Sequence, residues 1–173
     1  MSRRLAGTTL ILAAACLVAA CGFQLRGTGS ETLVPDDWKS MYLDTDNPNG
    51  ELSREVRASF AASGVVWAEE RQEAAYRLVL GAERFSQRNL SVSADARAAE
   101  IELTLSAQFS VQDDKGKRVM PPTLASVIQQ MENDPSNVVG KAEELRIIRS
   151  EMRVELARQM MRRIGFFAAS TAP

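Results

Sequence analysis

The sequence predicts an α+β fold, a two-layer sandwich in which two α-helices pack on one face of a mostly antiparallel β-sheet. Apolar and polar residues alternate without a break from Ile101 to Gln112, which is typical of a long strand with one buried and one wet face. Apolar residues recur every three or four positions from Val138 to Ile164, which predicts a helix of about seven turns that ends at Gly165.

The first part of the domain carries one predicted strand and one predicted helix. Alternation over 38–44 indicates a strand with Met41 and Leu43 on one side and Ser40 and Tyr42 on the other. A cluster of turn-forming residues then precedes a helix over roughly 50–63, which a glycine ends. The short apolar run 65–67 fits either a second strand or an extended connector.

The middle of the domain is predicted to be a set of antiparallel strands. Residues 76–82 alternate like a strand, and the polar residues 86–97 then predict a loop or a ragged hairpin tip. The composition of 113–117 is typical of a hairpin loop that leads into a strand over 118–131. Pro121 and Pro122 cannot donate ladder hydrogen bonds, so this last strand is predicted to be bent, broken or at an edge.

The N-terminus has the layout of a bacterial lipoprotein signal. Arg3 and Arg4 precede an apolar run that is short for a membrane span, and small residues then lead to Cys21. We expect residues 1–20 to be cleaved and Cys21 to become the acylated first residue, with Cys16 as the competing position. Cleavage before an acylated Cys21 leaves the mature chain without a free thiol.

The chain therefore divides into a targeting segment, a tether and one domain. Residues 1–20 are the predicted signal peptide, and residues 21–37, rich in glycine with scattered serine and threonine, are the predicted lipidated tether. Residues 38–167 form the predicted single α+β domain. Residues 168–173 are the predicted C-terminal tail.

Composition excludes several classes of function. The 173 residues carry 21 Lys and Arg against 22 Asp and Glu, a net charge of −1 that gives no overall basic field for nucleic acid. The chain has 0 histidines, which excludes an imidazole base and a histidine metal ligand. Neither a glycine-rich phosphate loop nor an activated nucleophile is evident. We therefore predict a protein that is not an enzyme and that uses no cofactor or metal.

The long helix carries a group of arginines with two open interpretations. They are Arg149, Arg153, Arg158, Arg162 and Arg163. Guanidinium groups bind phosphate through paired hydrogen bonds, so the group fits a phosphate-recognition patch. It equally fits a solvated helix face, in which Glu143 and Glu155 precede Arg146 and Arg158 by three residues.

Several short motifs resemble those of one known family. They are Cys-Gly-Phe-Gln-Leu-Arg at 21–26, Leu-Asp at 43–44, Asn-Pro-Asn-Gly at 47–50, Leu-Ser-Arg at 52–54, Val-Arg at 56–57, Ala-Glu at 99–100, Asp-Pro at 134–135, Lys141, and Glu-Met at 151–152. Together they cover essentially the whole mature chain and resemble the LPS-assembly lipoproteins of the LptE family.

The resemblance implies a function at the outer membrane. It implies a lipoprotein attached to the periplasmic face through acyl chains on Cys21, which plugs and helps to assemble an LptD-type β-barrel and binds lipopolysaccharide on its way to the outer leaflet. Gly22 follows the cysteine in place of the aspartate of an inner-membrane retention signal, which favours outer-membrane sorting. The alternative is a free periplasm-facing lipoprotein that binds or shuttles an amphipathic ligand without a barrel partner.

The resemblance also implies candidate binding residues. Lys141 matches a family lysine implicated in lipopolysaccharide binding. The family's second implicated residue, an arginine, aligns near Ser93, and Arg97 is the nearby candidate to replace it. The wet face of the long strand is the candidate surface for the barrel lumen, through Thr104, Ser106, Gln108 and Ser110.

Overall fold

The computed structural model describes residues 34–92, 98–132 and 138–171, which form six strands and two α-helices. In chain order they are β1 (Ser40–Thr45), α1 (Glu51–Ala62), β2 (Val66–Trp67), β3 (Tyr76–Leu80), β4 (Arg84–Val92), β5 (Ala98–Asp113), β6 (Arg118–Glu132) and α2 (Val138–Thr171). Short 3-10 turns occupy 36–38 and 71–73. Cys21 and Arg97 lie outside the described residues.

The sheet is built around the long central strand β5. Strands β3 and β4 lie one after the other along one side of β5, and β6 pairs along its other side, all antiparallel to it. Strand β1 pairs in parallel with β2 and β3. Helix α1 connects β1 to β2, as parallel neighbours require a crossover. The predicted fold class, two helices on a mostly antiparallel sheet, is confirmed.

The core lies between the sheet and the two helices. Alternate residues of β5 are buried from Ile101 to Val111, as the alternation of the sequence predicts. Met41 and Leu43 of β1 are buried beside them. The largest fully buried helical side chains are Val56, Phe60, Met152, Leu156, Met160 and Ile164.

The pairing corrects one detail of the predicted elements and resolves another. Residues 86–92 belong to β4, which pairs with β5 from Arg84 to Val92, whereas the sequence predicts a loop or ragged tip from residue 86. The polar composition is explained by exposure, because residues 86–90 of β4 are all exposed and exposed strands keep polar side chains. The open alternative at 65–67 is resolved as a short strand, with Val66 opposite Ser40.

Helix α2 does not end at Gly165 but continues to Thr171. A glycine stops a helix when it takes a positive φ, and among the described glycines only Gly64 and Gly116 do so. Beyond Gly165, Ala168 is 3% exposed and Phe167 contacts Trp38 at a centroid distance of 6.3 Å. This packing offsets the roughly 1 kcal/mol cost of a helical glycine, so residues 168–171 are helical although the sequence predicts a tail.

The pairing register with β5 shifts by one residue between β3 and β4. The inward side chains are even-numbered in β3, as Leu78 and Leu80 show, and odd-numbered in β4, where Phe85 pairs with the inward Leu105. Gly81 sits at the shift and donates its N–H to the Gln108 carbonyl at 2.8 Å. A Cβ at residue 81 would lie 3.1 Å from that same oxygen.

Strand β6 is an edge strand whose middle is capped by α2. Opposite the single residue Ser110, β6 places both Pro121 and Pro122, which is the bulge that edge prolines favour. The Ser126 N–H donates to Gln159 Oε1 at 3.0 Å, and Arg163 Nη1 donates to the Leu124 carbonyl at 2.6 Å. Side chains of α2 therefore occupy edge positions that another strand would otherwise pair with.

The Gln159→Leu variant should lower the free energy of unfolding by about 0.5–1.5 kcal/mol, the typical net contribution of one hydrogen bond. It should also associate more strongly with rising concentration, because the Ser126 N–H becomes available to another strand. Urea unfolding and analytical ultracentrifugation measure the two effects. Gln130→Leu is the matched control, because it makes the same change at an exposed position of β6, the strand that contains Ser126. Equal behaviour of the two variants would contradict the capping role of Gln159.

Candidate ligand-binding end and ion-pair cluster

The sheet has a distal end, at which β4 stops at Val92, β5 starts at Ala98 and β6 stops at Glu132. The pairing shows that these positions meet, because Val92 lies opposite Ala98 and Glu100 lies opposite Glu132. Helix α2 starts at Val138, and a connection of that length from Glu132 spans at most about 20 Å. The topology therefore gathers the ends of four elements in one region.

The structure places one of the two predicted binding residues, Lys141, at this distal end. Lys141 lies in the first turn of α2 and is half-buried. Arg97 lies outside the described residues and directly precedes Ala98, the first residue of β5. The ammonium group of Lys141 suits an anionic ligand such as a phosphate.

The described charges around the distal end are of both signs. Arg88 Nη2 donates to Glu102 Oε1 across the sheet at 3.0 Å, and Arg146 Nη2 donates to Glu143 Oε1 at 2.7 Å on the exposed face of α2. The hydrogen bond from Arg146 and its charge lower the pKa of the Glu143 carboxyl. Glu143 and Arg146 thus form the i, i+3 pair that the sequence predicts.

An ion-pair cluster, of which the Glu83–Arg153 pair is largely buried, fixes α2 to the sheet at the one-residue shift. Arg149 Nη2 donates to Glu83 Oε1 at 2.6 Å, and Arg153 Nε donates to Glu83 Oε2 at 2.8 Å. Arg153 also reaches Glu51 of α1 at 2.6 Å, while the Arg149 guanidinium lies 4.7 Å from the centroid of the Phe85 ring. We call these residues, Glu51, Glu83, Phe85, Arg149 and Arg153, the Glu83 cluster.

The electrostatics of Glu83 follow from its two arginines. The Glu83 side chain is 16% exposed and that of Arg153 is 10% exposed. Burial raises the pKa of the Glu83 carboxyl, but the hydrogen bonds and charges of Arg153 and Arg149 outweigh burial and hold the pKa below its ordinary value. The same hydrogen bonds raise the pKa of Arg153. The cluster is therefore charged at neutral pH.

Most arginines of the predicted phosphate patch on the long helix bind other groups of the protein. Arg149 and Arg153 bind Glu83, and Arg163 binds the Leu124 carbonyl. Glu155 pairs with Arg162 at 2.7 Å, whereas the sequence predicts a pair with Arg158. Arg149, Arg153 and Arg163 therefore bind other parts of the fold and form neither the phosphate patch nor the solvated face that the sequence leaves open.

The sequence does not reveal Glu83 as a structural residue. Alternation carried on from β3 places Ala82 inward and Glu83 outward, and the shift at Gly81 reverses this order. A cavity of about 540 Å³ lies beside the Glu83 cluster, lined also by Asn47 and Asn49. The two arginines that line the cavity, Arg149 and Arg153, are both paired with Glu83.

The outer face of the sheet, opposite the helices, is polar with an apolar pair. Thr104 and Ser106 are half-exposed and Gln108 is exposed, as predicted, whereas Ser110 is 6% exposed and contributes little surface. Strand β6 adds Leu124 and Ile128, each 59% exposed. Gln108 lies directly opposite Leu124, and Thr104 lies opposite Ile128.

The described part of the chain lacks two further features, a group of metal-binding side chains and a membrane-spanning helix. Across 34–92, 98–132 and 138–171, no cluster of three or more acidic or thiol side chains is suited to hold a metal ion. Neither helix in these ranges combines the length and the apolar character that a membrane span requires.

Comparison with known proteins connects this domain to characterised sequences. The family described as LptE, Lipopolysaccharide-assembly, matches residues 38–164. The LPS-assembly lipoprotein LptE of Photorhabdus laumondii is 33% identical over 157 residues, which cover 90% of this chain and 84% of that protein. The LPS-assembly lipoprotein LptE of Pectobacterium atrosepticum is 32% identical over 159 residues, covering 90% and 83%.

Solved structures share the fold at lower identity. The rare lipoprotein B from Shewanella oneidensis superposes with a TM-score of 0.67 at 20% identity, covering 75% of this chain and 96% of that one. Lipoprotein B from Nitrosomonas europaea superposes with a TM-score of 0.70 at 17% identity, covering 86% and 94%. At these identities the two structures support the fold alone.

Proposed function

Because the chain belongs to the LptE family of LPS-assembly lipoproteins, as its motifs predict, we propose that it plugs an LptD-type β-barrel in the outer membrane and binds lipopolysaccharide there. The protein is held on the periplasmic face by acyl chains on Cys21. It helps the barrel to assemble and passes lipopolysaccharide towards the outer leaflet. It makes and breaks no covalent bond.

The family match carries this proposal. It spans 38–164, which is nearly the whole described domain, and the relatives named LPS-assembly lipoprotein align over 90% of the chain. The structure adds physical support. A plug needs a rigid body and a polar surface, and the domain offers a continuous core and an outer sheet face with Thr104, Ser106 and Gln108 on it.

The binding of lipopolysaccharide is assigned to the distal end. Lipopolysaccharide carries phosphates, which lysine and arginine bind through charge-assisted hydrogen bonds. Lys141 in the first turn of α2 and Arg97 next to β5 supply such groups at this end. The arginines of the Glu83 cluster are excluded from this role because Glu83 and Glu51 already bind them.

Affinity purification from outer membranes tests the partner. The tagged full-length lipoprotein is solubilised in mild detergent, and the proteins that co-purify are identified by mass spectrometry. We expect a large β-barrel protein in near-equal amount. Recovery of the lipoprotein as a monomer without any barrel would overturn the plug and favour the alternative, a free lipoprotein that binds or shuttles an amphipathic ligand.

The Lys141→Asp variant should bind purified lipopolysaccharide about tenfold more weakly, the equivalent of about 1.4 kcal/mol, because the substitution reverses the charge near the ligand phosphates. Fluorescence anisotropy with labelled lipopolysaccharide measures the affinity. Lys115→Asp is the matched control, since it makes the same charge change on an exposed residue of the β5–β6 turn, at the opposite end of β5. The same loss in both variants would remove Lys141 from the site.

A further inference from the structure

We propose that the end of the domain opposite the distal end rests directly on the phospholipid surface to which the protein is anchored. We call it the proximal end and define it by the first described residues, the β5–β6 turn and the last turns of α2. The proposal depends on the proposed lipid anchor at Cys21, and it assigns a second, non-covalent membrane contact to the folded domain.

The proximal end carries an aromatic groove of about 430 Å³ in which these three parts meet. Trp38 and Tyr76 stack with their ring centroids 4.3 Å apart, and Phe167 approaches Trp38 edge-on. Lys117 and Arg118 also line the groove. Aromatic rings and two cations therefore line one groove, with Asp37 as the acidic residue among the lining side chains.

This composition suits the interface between lipid and water. Tyrosine and tryptophan are favoured where one side of the ring is apolar and the other is wet. Lysine and arginine place their apolar stems along a hydrophobic surface and their charges at the level of the headgroups. Beside the groove-lining Phe167, Phe166 is 77% exposed, more than any other large hydrophobic side chain of the described residues.

The position of the tether selects the bilayer as the occupant of this surface. Val34 is fully buried next to the groove-lining Pro35, so the described part of the chain starts at the proximal end. Residues 22–33 separate Val34 from Cys21. A chain of that length spans about 20 Å as a flexible coil and at most about 45 Å when extended.

The length of β5 places the distal end far from the membrane surface when the proximal end rests on it. Strand β5 runs from Ala98 to Asp113, about 50 Å, between the two ends of the domain. Contact of the proximal end with lipid therefore directs Lys141 away from the anchoring leaflet. The proposed lipopolysaccharide site then has a definite orientation relative to the membrane.

A fluorophore attached at Phe166 tests the contact. The acylated lipoprotein carrying Phe166→Cys is labelled with an environment-sensitive dye and reconstituted into vesicles of phosphatidylethanolamine and phosphatidylglycerol. An acylated Cys21 leaves no other thiol in the mature chain, so the label is specific. Ile128→Cys, at a residue 59% exposed on the outer sheet face, is the matched control.

We expect a blue-shifted emission and protection from aqueous iodide at position 166, and a water-like emission at position 128. Vesicle flotation is measured on the same samples. Protein that floats with water-like emission at both positions, or with equal shielding at both, overturns the proximal contact while the anchor stands. Protein that does not float lacks the anchor, which overturns the anchor and the contact together.

A second substitution tests the groove itself. Replacing Lys117 and Arg118 together by glutamate in the labelled Phe166→Cys protein should abolish most of the blue shift, because the reversed charges repel the lipid phosphates. Both residues are on the surface at the start of β6. An unchanged spectrum would remove the two cations from the contact.

Discussion

The Glu83→Gln variant is expected to lose about 3 kcal/mol of unfolding free energy, at the lower end of the range for a broken buried ion pair because Arg153 keeps Glu51 as a partner. Removal of the Glu83 charge leaves Arg153, 10% exposed at its side chain, and Arg149 without the negative charge that neutralises them, and it replaces one accepting oxygen by an NH2 group that cannot accept. A domain of this size should then melt roughly 6–12 °C lower. Urea unfolding and calorimetry measure the two quantities.

Glu102→Gln provides the control for Glu83→Gln. It removes the same charge from an ion pair whose arginine, Arg88, is 69% exposed, and such pairs contribute less than about 1 kcal/mol. A loss of similar size in both variants would contradict the structural role of the Glu83 cluster.

The pH dependence of stability offers an independent check on Glu83. Its pKa is lowered below the ordinary 4.5, so its contribution is complete above pH 4.5 and is lost as the pH falls through the folded-state value. The difference in stability between the wild-type protein and Glu83→Gln should therefore shrink below pH 4.5. A constant difference down to pH 3 would contradict this assignment.

The Cys21→Ala variant is expected to lose its acyl chains altogether and to disappear from the outer-membrane fraction. Each buried methylene contributes about 0.8 kcal/mol to membrane attachment, so loss of several chains removes essentially the whole anchor. Labelling with radioactive palmitate and separation of the two membranes measure the effect. The folded domain itself should be unchanged, because the described core begins at Val34.

Cys16→Ala is the matched control for the lipid anchor. It changes the competing cysteine, which we expect to leave with the signal peptide, and it should keep both the label and the outer-membrane location. Palmitate that still enters Cys21→Ala but not Cys16→Ala would place the acylation at Cys16. Such a result would also lengthen the tether assumed for the proximal contact.

Local sequence patterns predicted the elements that have a strong period of their own. Alternation placed β5 and the buried pair Met41 and Leu43, and the three-to-four residue repeat placed α2 up to Gly165. The patterns were insufficient where an element is polar on both sides. Strand β4 is an example, because its pairing with β5 rather than its composition makes it a strand.

The residues of the candidate sites also fall into those that the sequence predicts and those that only the structure brings together. Cys21, Lys141 and Arg97 come from the sequence and its family motifs, and they remain predictions for function. The pairing of Glu83 with Arg149 and Arg153 joins residues separated in sequence by 66 and 70 positions, and no local pattern contains it. The same is true of the aromatic groove, which joins the chain start to the end of α2.

The sequence by itself determined the class of fold and the family, and it predicts the targeting segment, because these depend on residue type and on spacing within short windows. The tertiary structure alone decided which charges are neutralised inside the fold and which surfaces lie at the same end of the sheet. The physical reason is that a one-residue shift at Gly81 exchanges the inward and outward faces of a strand. That exchange turns Glu83 towards α2, where it binds two arginines that would otherwise be available to a phosphate.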